Sequence, residues 1–317
     1  MQVALKSDVF LLSTPICLLI NPFLNSAYLI SIISDGFSFD NVWLSYTLMI
    51  EIMRKNRFFG IYYKHQSLDG EMLAVIDSLS NEGKMVQIIS NEGAFILKDL
   101  SSIKISFEGI SFDIHQDDLI LTGEIKYGNI KKPKKDIMSY YRFLPIECKH
   151  KIYSLYHPLS GEIIINNKKI SFDHGDGYIE GDKGRNFPSK YIWINSSSPI
   201  LSITSAIASI PLGLFTITGN TTSILYKNKE YRFGTYNGSK VIKISKEHII
   251  IKKGAYTLEM SLLDNKSSHP LKAPQRGDMI RYIHECPSLS MRMVLKRKDR
   301  LIFNEICPFT SYEYVWE

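Results

Sequence analysis

The chain is poor in cysteine and lacks the short motifs of the common cofactor and nucleophile sites. Its 317 residues contain four cysteines, and they are Cys17, Cys148, Cys286 and Cys307. No two of them form a C-x-x-C pair, which excludes the usual zinc and redox motifs and indicates free thiols in a reducing compartment. G-x-G-x-x-G after a strand, G-x-x-x-x-G-K-[ST] and G-x-S-x-G are also missing. We therefore expect no nucleotide-dependent enzyme, no serine hydrolase, no cofactor and no metal site.

The chain also lacks a strong charge of one sign. Its formal net charge is +6, from 38 basic and 32 acidic residues. This excess is too diffuse to indicate nucleic-acid binding. The longest basic run, Lys131, Lys132, Lys134 and Lys135, is broken by Pro133. It is typical of a solvated loop, and contact with an anionic membrane surface is the alternative.

Charged residues are missing altogether from residues 9–33, a stretch long enough to span a bilayer. Pro15, Asn21 and Pro22 interrupt it. Three interpretations remain open: a membrane or signal segment, a packed extension, or a start codon read too early, with translation beginning near Met49 or Met53. We treat residues 1–48 as a separate apolar extension and expect a cytoplasmic or membrane-associated protein.

From Phe58 onward the pattern changes to short strands separated by turn signals. Aromatic residues make up 12% of the chain, with 18 Tyr and 16 Phe, and such residues favour strands. Asn166-Asn167 is one hairpin signal among several. No long helical period interrupts the series. An all-β fold, a barrel or a sandwich, is the prediction.

One short block combines glycine, proline, acidic and aromatic residues. If residues 178–182 are extended, Tyr178, Glu180 and Asp182 project from one face, because side chains alternate along a strand. In the next strand Tyr191, Trp193 and Asn195 share a face in the same way. Two carboxyl groups beside aromatic rings could supply an acid with a raised pKa. The alternative is a turn in which Glu180 and Asp182 cap backbone amides.

This block resembles a motif of the tocopherol cyclase family and its bacterial relatives, Y-x-E-x-D/N-W-G-x-x-F-P-x-x-W/Y-x-W-x-Q. The matching residues are Tyr178, Glu180, Asp182, Gly184, Phe187, Pro188, Tyr191 and Trp193. Residues 58–64 are similar to the family motif F-x-G-W-Y-F-K, and residues 145–150 and 311–315 also resemble bacterial relatives. Family tryptophans are replaced by Ile61 and Lys183, and a glutamine by Asn195. The resemblance spans residues 58–315.

The resemblance implies two lipocalin-like (calycin-type) β-barrel or half-barrel domains, which we place at residues 49–160 and 161–317, with a cavity at their junction. It also implies cofactor-free cyclisation of a prenylated hydroquinone, in which an acid protonates a double bond and the phenol oxygen captures the cation. The expected partner is an apolar or prenylated small molecule. Membrane association is an alternative contact, and the oligomeric state is left open.

Under this hypothesis the proton donor is Asp182 or Glu180, and Tyr178 or Asn195 orients the phenol. The remaining predicted substrate-binding residues are Tyr62, His65, His150, Phe187, Tyr191 and Trp193. A non-catalytic carrier of a lipid-like ligand would use the same cavity without proton transfer. A structural or interaction protein would have the cavity filled.

Overall fold

The computed structural model describes residues 57–212 and 215–316. Strands account for 69% of the described residues and helices for 4%, which confirms the all-β prediction. The three short 3₁₀ helices of the described residues are Leu100–Ser102, Ser139–Phe143 and Thr235–Asn237. None of these helices has the length and hydropathy of a membrane span. The predicted extension, residues 1–48, lies outside the described residues.

The first half of the described chain forms an antiparallel sheet of ten strands. Their bounds are β1 Phe58–Gln66, β2 Met72–Ser80, β3 Gly83–Ser90, β4 Ala94–Ile96, β5 Ile103–Ile105, β6 Gly109–Gln116, β7 Leu119–Tyr127, β8 Cys148–Ile165, β9 Lys168–Ser171 and β10 Asp176–Gly184. The strand order is β4-β3-β2-β1-β10-β8-β7-β6-β5, with β9 paired to β8. The first and last strands of this half therefore lie side by side at its centre.

The second half repeats this arrangement. Its strands are β11 Tyr191–Ser196, β12 Leu201–Leu212, β13 Phe215–Tyr226, β14 Lys229–Gly234, β15 Lys240–Ile244, β16 His248–Lys253, β17 Tyr256–Leu262, β18 His269–Gln275, β19 Asp278–Arg297 and β20 Arg300–Val315. The order is β14-β13-β12-β11-β20-β19-β17-β16-β15, with β18 paired to β19. The two orders agree strand for strand, except that β19 takes the place that β8 has in the first sheet. Neither sheet is closed, as expected for half-barrels.

The predicted division between residues 160 and 161 falls inside β8, which runs from Cys148 to Ile165. The chain changes sheets between Gly184 and Tyr191. The sequence did not reveal this because β10 pairs with β1, more than a hundred residues earlier, and only that pairing assigns β10 to the first sheet. That each sheet folds as a domain of its own stays a prediction.

Alternation of side chains along the central strands explains why the sheets pack face to face. In β11, Ile192 and Ile194 enter the core of the second sheet, whereas Tyr191 and Trp193 enter a third cluster. In β10, Ile179 enters the core of the first sheet and Tyr178 the same third cluster. Strands buried on both faces read as near-continuous apolar runs. This third cluster joins the two sheets and surrounds the candidate site.

Candidate functional site

A cavity of about 300 Å³ lies between the sheets, at the junction where the sequence predicted one. The first sheet contributes Tyr62, His150 and Glu180 to its wall, and the second contributes Trp193 and Glu313. Apolar side chains form most of the remaining lining. A mainly apolar hollow with a few convergent polar groups is the usual form of a small-molecule site.

The central pair of strands in each sheet positions these cavity-lining side chains. Tyr62 of β1 lies opposite Glu180 of β10, and Trp193 of β11 lies opposite Glu313 of β20. Since β1 and β10 occupy the same places in the first sheet as β11 and β20 in the second, each wall presents one aromatic–glutamate pair. Directly opposed residues on one face of a sheet lie within about 5.5 Å at Cβ, close enough to act together.

Glu180 is held by side chains of both sheets. Its Oε2 accepts a hydrogen bond of 2.5 Å from the Tyr178 hydroxyl and one of 3.1 Å from the Trp193 indole N–H. The Tyr178 hydroxyl also lies 2.9 Å from Oγ1 of Thr204. These contacts fix the carboxyl by side chains, so the alternative in which Glu180 caps backbone amides does not describe this site.

His150 links Glu180 to Asp182. Its Nδ1 lies 3.1 Å from Oδ1 of Asp182, and its Nε2 lies 3.3 Å from Oε2 of Glu180 without hydrogen-bond alignment. The Cys148 thiol donates to the same Asp182 oxygen at 3.4 Å. An imidazole between two carboxyl groups can hold or move a proton between them.

Burial and charge set the protonation of this group. Burial raises the pKa of Glu180 to about 7, although His150 and the two hydrogen bonds oppose the rise. Burial alone would lower the pKa of His150, but Glu180 and Asp182 outweigh it and raise that pKa to about 9. A carboxyl group that is half protonated near neutral pH is well matched to general acid catalysis.

His150, Glu180 and Asp182 are also the group of described residues that could hold a metal ion, since their ligand atoms lie within 4.8 Å of one another. Two observations make the set a poor metal site. Nδ1 of His150 is already directed at Asp182, and Oε2 of Glu180 already accepts two hydrogen bonds. The arrangement fits a proton-transfer chain better than a coordination shell.

The structure brings most of the residues predicted from the sequence to one cavity. Those that line it are Tyr62, His150, Glu180, Asp182, Phe187, Tyr191 and Trp193. Tyr178 does not line the cavity, but its hydroxyl donates a hydrogen bond to the Glu180 carboxyl. Asn195 and His65 lie elsewhere.

Asn195 and His65 are fully buried away from the cavity. The Nδ2 of Asn195 is 3.5 Å from the carbonyl oxygen of Ile203. The backbone carbonyl oxygen of Asn195 accepts a hydrogen bond from Nζ of Lys64. His65 bridges the Leu73 carbonyl and the Tyr127 hydroxyl, and burial lowers its pKa to about 4. Strand alternation directs His65 to the interior of the first sheet, on the face opposite Lys64.

The two departures from the family pattern occupy different places. Ile61 lines the cavity, so the replaced tryptophan position is on its wall. Lys183 follows Asp182 along β10 and is not part of the cavity lining in the described chain. The Lys183 substitution therefore leaves the lining unchanged, whereas Ile61 puts a smaller apolar residue at a lining position, with its side chain packed against the core of the first sheet.

Sequence reasoning missed two buried glutamates of the second sheet. Glu313 lines the cavity and accepts a 2.5 Å hydrogen bond from the Tyr191 hydroxyl. Glu285, its neighbour across β19 and β20, is 0% exposed and accepts a 2.6 Å hydrogen bond from Tyr62. The available signal was an acidic residue inside an aromatic strand, Tyr312-Glu313-Tyr314, because charged groups are seldom buried without a partner.

Searches of family models and of curated proteins by sequence gave no match. Solved structures do match. Kievitone hydratase from Nectria haematococca has a TM-score of 0.48 at 10% identity, covering 83% of this chain and 90% of that one. A candidate AttH protein from Nitrosomonas europaea has a TM-score of 0.47 at 8% identity, covering 83% and 93%.

The crystal structure of CghA with Sch210972 has a TM-score of 0.54 at 6% identity, covering 83% of this chain and 89% of that one. At this identity the likeness concerns the fold alone. Over the described residues, the chain therefore shares the overall two-sheet fold of the CghA structure.

Proposed function

We propose that this protein is a cofactor-free enzyme that cyclises a prenylated hydroquinone or a related apolar phenol by acid catalysis. The observation that carries the proposal is the Glu180 carboxyl, which lines an apolar cavity while both of its hydrogen bonds fall on Oε2. With Oε2 occupied as an acceptor, the acidic proton resides on Oε1. The fold neighbours support a cyclase-like or hydratase-like reading, and the substrate class rests on the sequence resemblance.

In the proposed reaction, the proton on Oε1 of Glu180 adds to the less substituted carbon of a trisubstituted double bond. The tertiary carbocation that results lies near Trp193 and Tyr62, whose rings pack at 5.3 Å between centroids. Each aromatic face stabilises such a cation by about 0.5–2 kcal/mol. The phenol oxygen then forms a bond to the cationic carbon, and its proton returns to the Glu180 carboxylate. Substrate and product are isomers, and no co-reactant is consumed.

His150 and Asp182 support this cycle. After the proton leaves, Glu180 is a carboxylate in an apolar wall, and the imidazolium 3.3 Å away stabilises it. Asp182 holds that imidazolium by its Nδ1. In this mechanism Asp182 orients His150 and Glu180 is the proton donor.

A carrier of a lipid-like ligand is the second candidate. The observation that favours it is Ile61, which stands on the cavity wall where the family pattern has a tryptophan. Loss of one aromatic face would weaken stabilisation of a cation but would leave apolar binding intact.

One incubation experiment distinguishes the cyclase from the carrier. The purified protein is mixed with a prenylated hydroquinone under argon, and the products are resolved by chromatography and mass spectrometry. We expect a chromanol of unchanged mass that is missing from a heat-denatured control. Tight binding of the hydroquinone with no such product over days would establish the carrier and reject the cyclase.

The rate should fall as the pH rises through about 7. The reactive form of Glu180 is protonated, and its pKa of about 7 means that this form is lost above neutral pH. We expect kcat/KM to fall tenfold per pH unit above about 8 and to change little between pH 5.5 and 6.5. The measurement is kcat/KM from pH 5.5 to 9, with circular dichroism at each pH to show that the fold persists. A flat profile over this range would exclude Glu180 as the donor.

A further inference from the structure

The second wall of the cavity carries a carboxyl group to which the mechanism above gives no role. Glu313 lines the cavity from β20 and is 8% exposed. The Tyr191 hydroxyl donates to its Oε2 at 2.5 Å, and Tyr191 lines the same cavity. The carboxyl is therefore anchored through one oxygen, which leaves Oε1 for another partner.

The position of Glu313 repeats that of Glu180. β20 is the last strand of its sheet and pairs with the first, β11, just as β10 pairs with β1. In these pairs Trp193 faces Glu313, and Tyr62 faces Glu180. The two sheets thus direct one tyrosine-anchored carboxyl each, Tyr178–Glu180 and Tyr191–Glu313, into a single hollow.

The two carboxyl groups differ in what surrounds them. Glu180 lies 3.3 Å from the His150 imidazole, whereas Glu313 has no ion pair among residues 57–212 and 215–316. Burial and the neighbouring charge of Glu285 raise the pKa of Glu313 well above its ordinary value. Burial thus favours the protonated form of Glu313, with the proton on the oxygen that Tyr191 does not occupy. A buried carboxylic acid that stays neutral is a hydrogen-bond donor.

We propose that Glu313, anchored by Tyr191, donates a hydrogen bond from the second sheet to an oxygen atom of the bound ligand. The ligand class is an apolar molecule with one oxygenated end, and its orientation in the cavity follows from this bond. The oxygenated ring lies against Glu313, and the double bond of the chain is then presented to Glu180. This inference rests on the proposed function for the class of ligand.

The test is a ratio of two dissociation constants. The probes are a prenylated hydroquinone and the same molecule with hydrogen in place of both hydroxyl groups, and binding is measured by calorimetry. The wild-type protein should prefer the oxygenated probe by about tenfold, the effect of one buried hydrogen bond. Glu313→Leu should reduce the ratio to about one. Glu313→Gln should keep most of it, because the amide N–H₂ group still donates.

Glu230→Gln is the matched control. The Glu230 side chain, 7% exposed, is another largely buried carboxyl of the second sheet, but it does not line the cavity. Its substitution should leave the ratio unchanged. If Glu313→Leu does not fold, Tyr191→Phe removes the anchor instead and should reduce the ratio to about threefold.

The outcomes separate the two proposals. A wild-type ratio near one, or a ratio that survives both Glu313→Leu and Tyr191→Phe, overturns the role of Glu313. A tenfold ratio without chromanol formation supports Glu313 as a ligand-binding residue and rejects the cyclase. Failure of the protein to bind either probe rejects both.

Discussion

Glu180→Gln should lower kcat for chromanol formation by about 10²–10⁴-fold, the usual contribution of a general acid. Glutamine has the same shape, and its carbonyl oxygen can still accept the hydrogen bonds from Tyr178 and Trp193. What it lacks is the proton that the double bond must receive. KM should change little, because the apolar walls that bind the substrate are unaltered. The measurement is steady-state kinetics with the melting temperature recorded in parallel.

Two further variants test whether the loss of activity is specific to the Glu180 carboxyl. Glu230→Gln removes a carboxyl whose side chain is 7% exposed but does not line the cavity, and it should retain near wild-type kcat. Asp182→Asn keeps the acid but weakens the attachment of His150, and it should show a smaller loss than Glu180→Gln. Wild-type turnover in both Glu180→Gln and Asp182→Asn would remove the pair from the mechanism.

Gly184→Ala should destabilise the protein by about 3 kcal/mol, within the upper range for overpacking. A Cβ on Gly184 would lie 1.9 Å from the carbonyl oxygen of Glu147, a backbone atom that can yield only if β8 moves away from β10. β8 and β10 carry His150, Glu180 and Asp182, so the strain would act at the site itself. With about 2.1 cal/mol/K of unfolding entropy per residue, a chain of this size should lose roughly 4–5 °C in melting temperature.

Gly60→Ala is the control for this substitution. Gly60 is also a glycine of a family-like motif, on the neighbouring strand β1, but its Cβ would come no closer than 3.8 Å to Ser78. Replacement of glycine where the backbone tolerates alanine typically adds about 0.4–1 kcal/mol of stability through the unfolded chain. Equal melting temperatures for the two variants would show that the close approach of β8 is not what requires Gly184.

Strand alternation was sufficient to predict one wall of the site. It assigned Tyr178, Glu180 and Asp182 to one face of β10, and that face does meet the second sheet. It also grouped Tyr191 with Trp193 correctly. Alternation has a period of two residues and depends only on the local backbone, so it can be read from the sequence without knowledge of the fold.

What the sequence could not supply is the identity of the strands that meet. Glu313 faces the same cavity as Glu180 only because β10 and β20 have equivalent places in two sheets, a relation between residues 133 positions apart (313 − 180) that no local pattern contains. The same limitation explains Asn195, which lies two residues beyond Trp193 on β11, where the strand has passed the cavity. His65 lies on the other face of β1 from Tyr62, as alternation itself indicates.

Because each half supplies one wall, the hollow exists only while both sheets are in place. A ligand that touches both walls binds neither half alone, and its binding energy is lost when either one melts. At saturating ligand, the two halves should therefore unfold in a single calorimetric transition. The bound ligand would then hold together two halves of the described chain that no disulfide links.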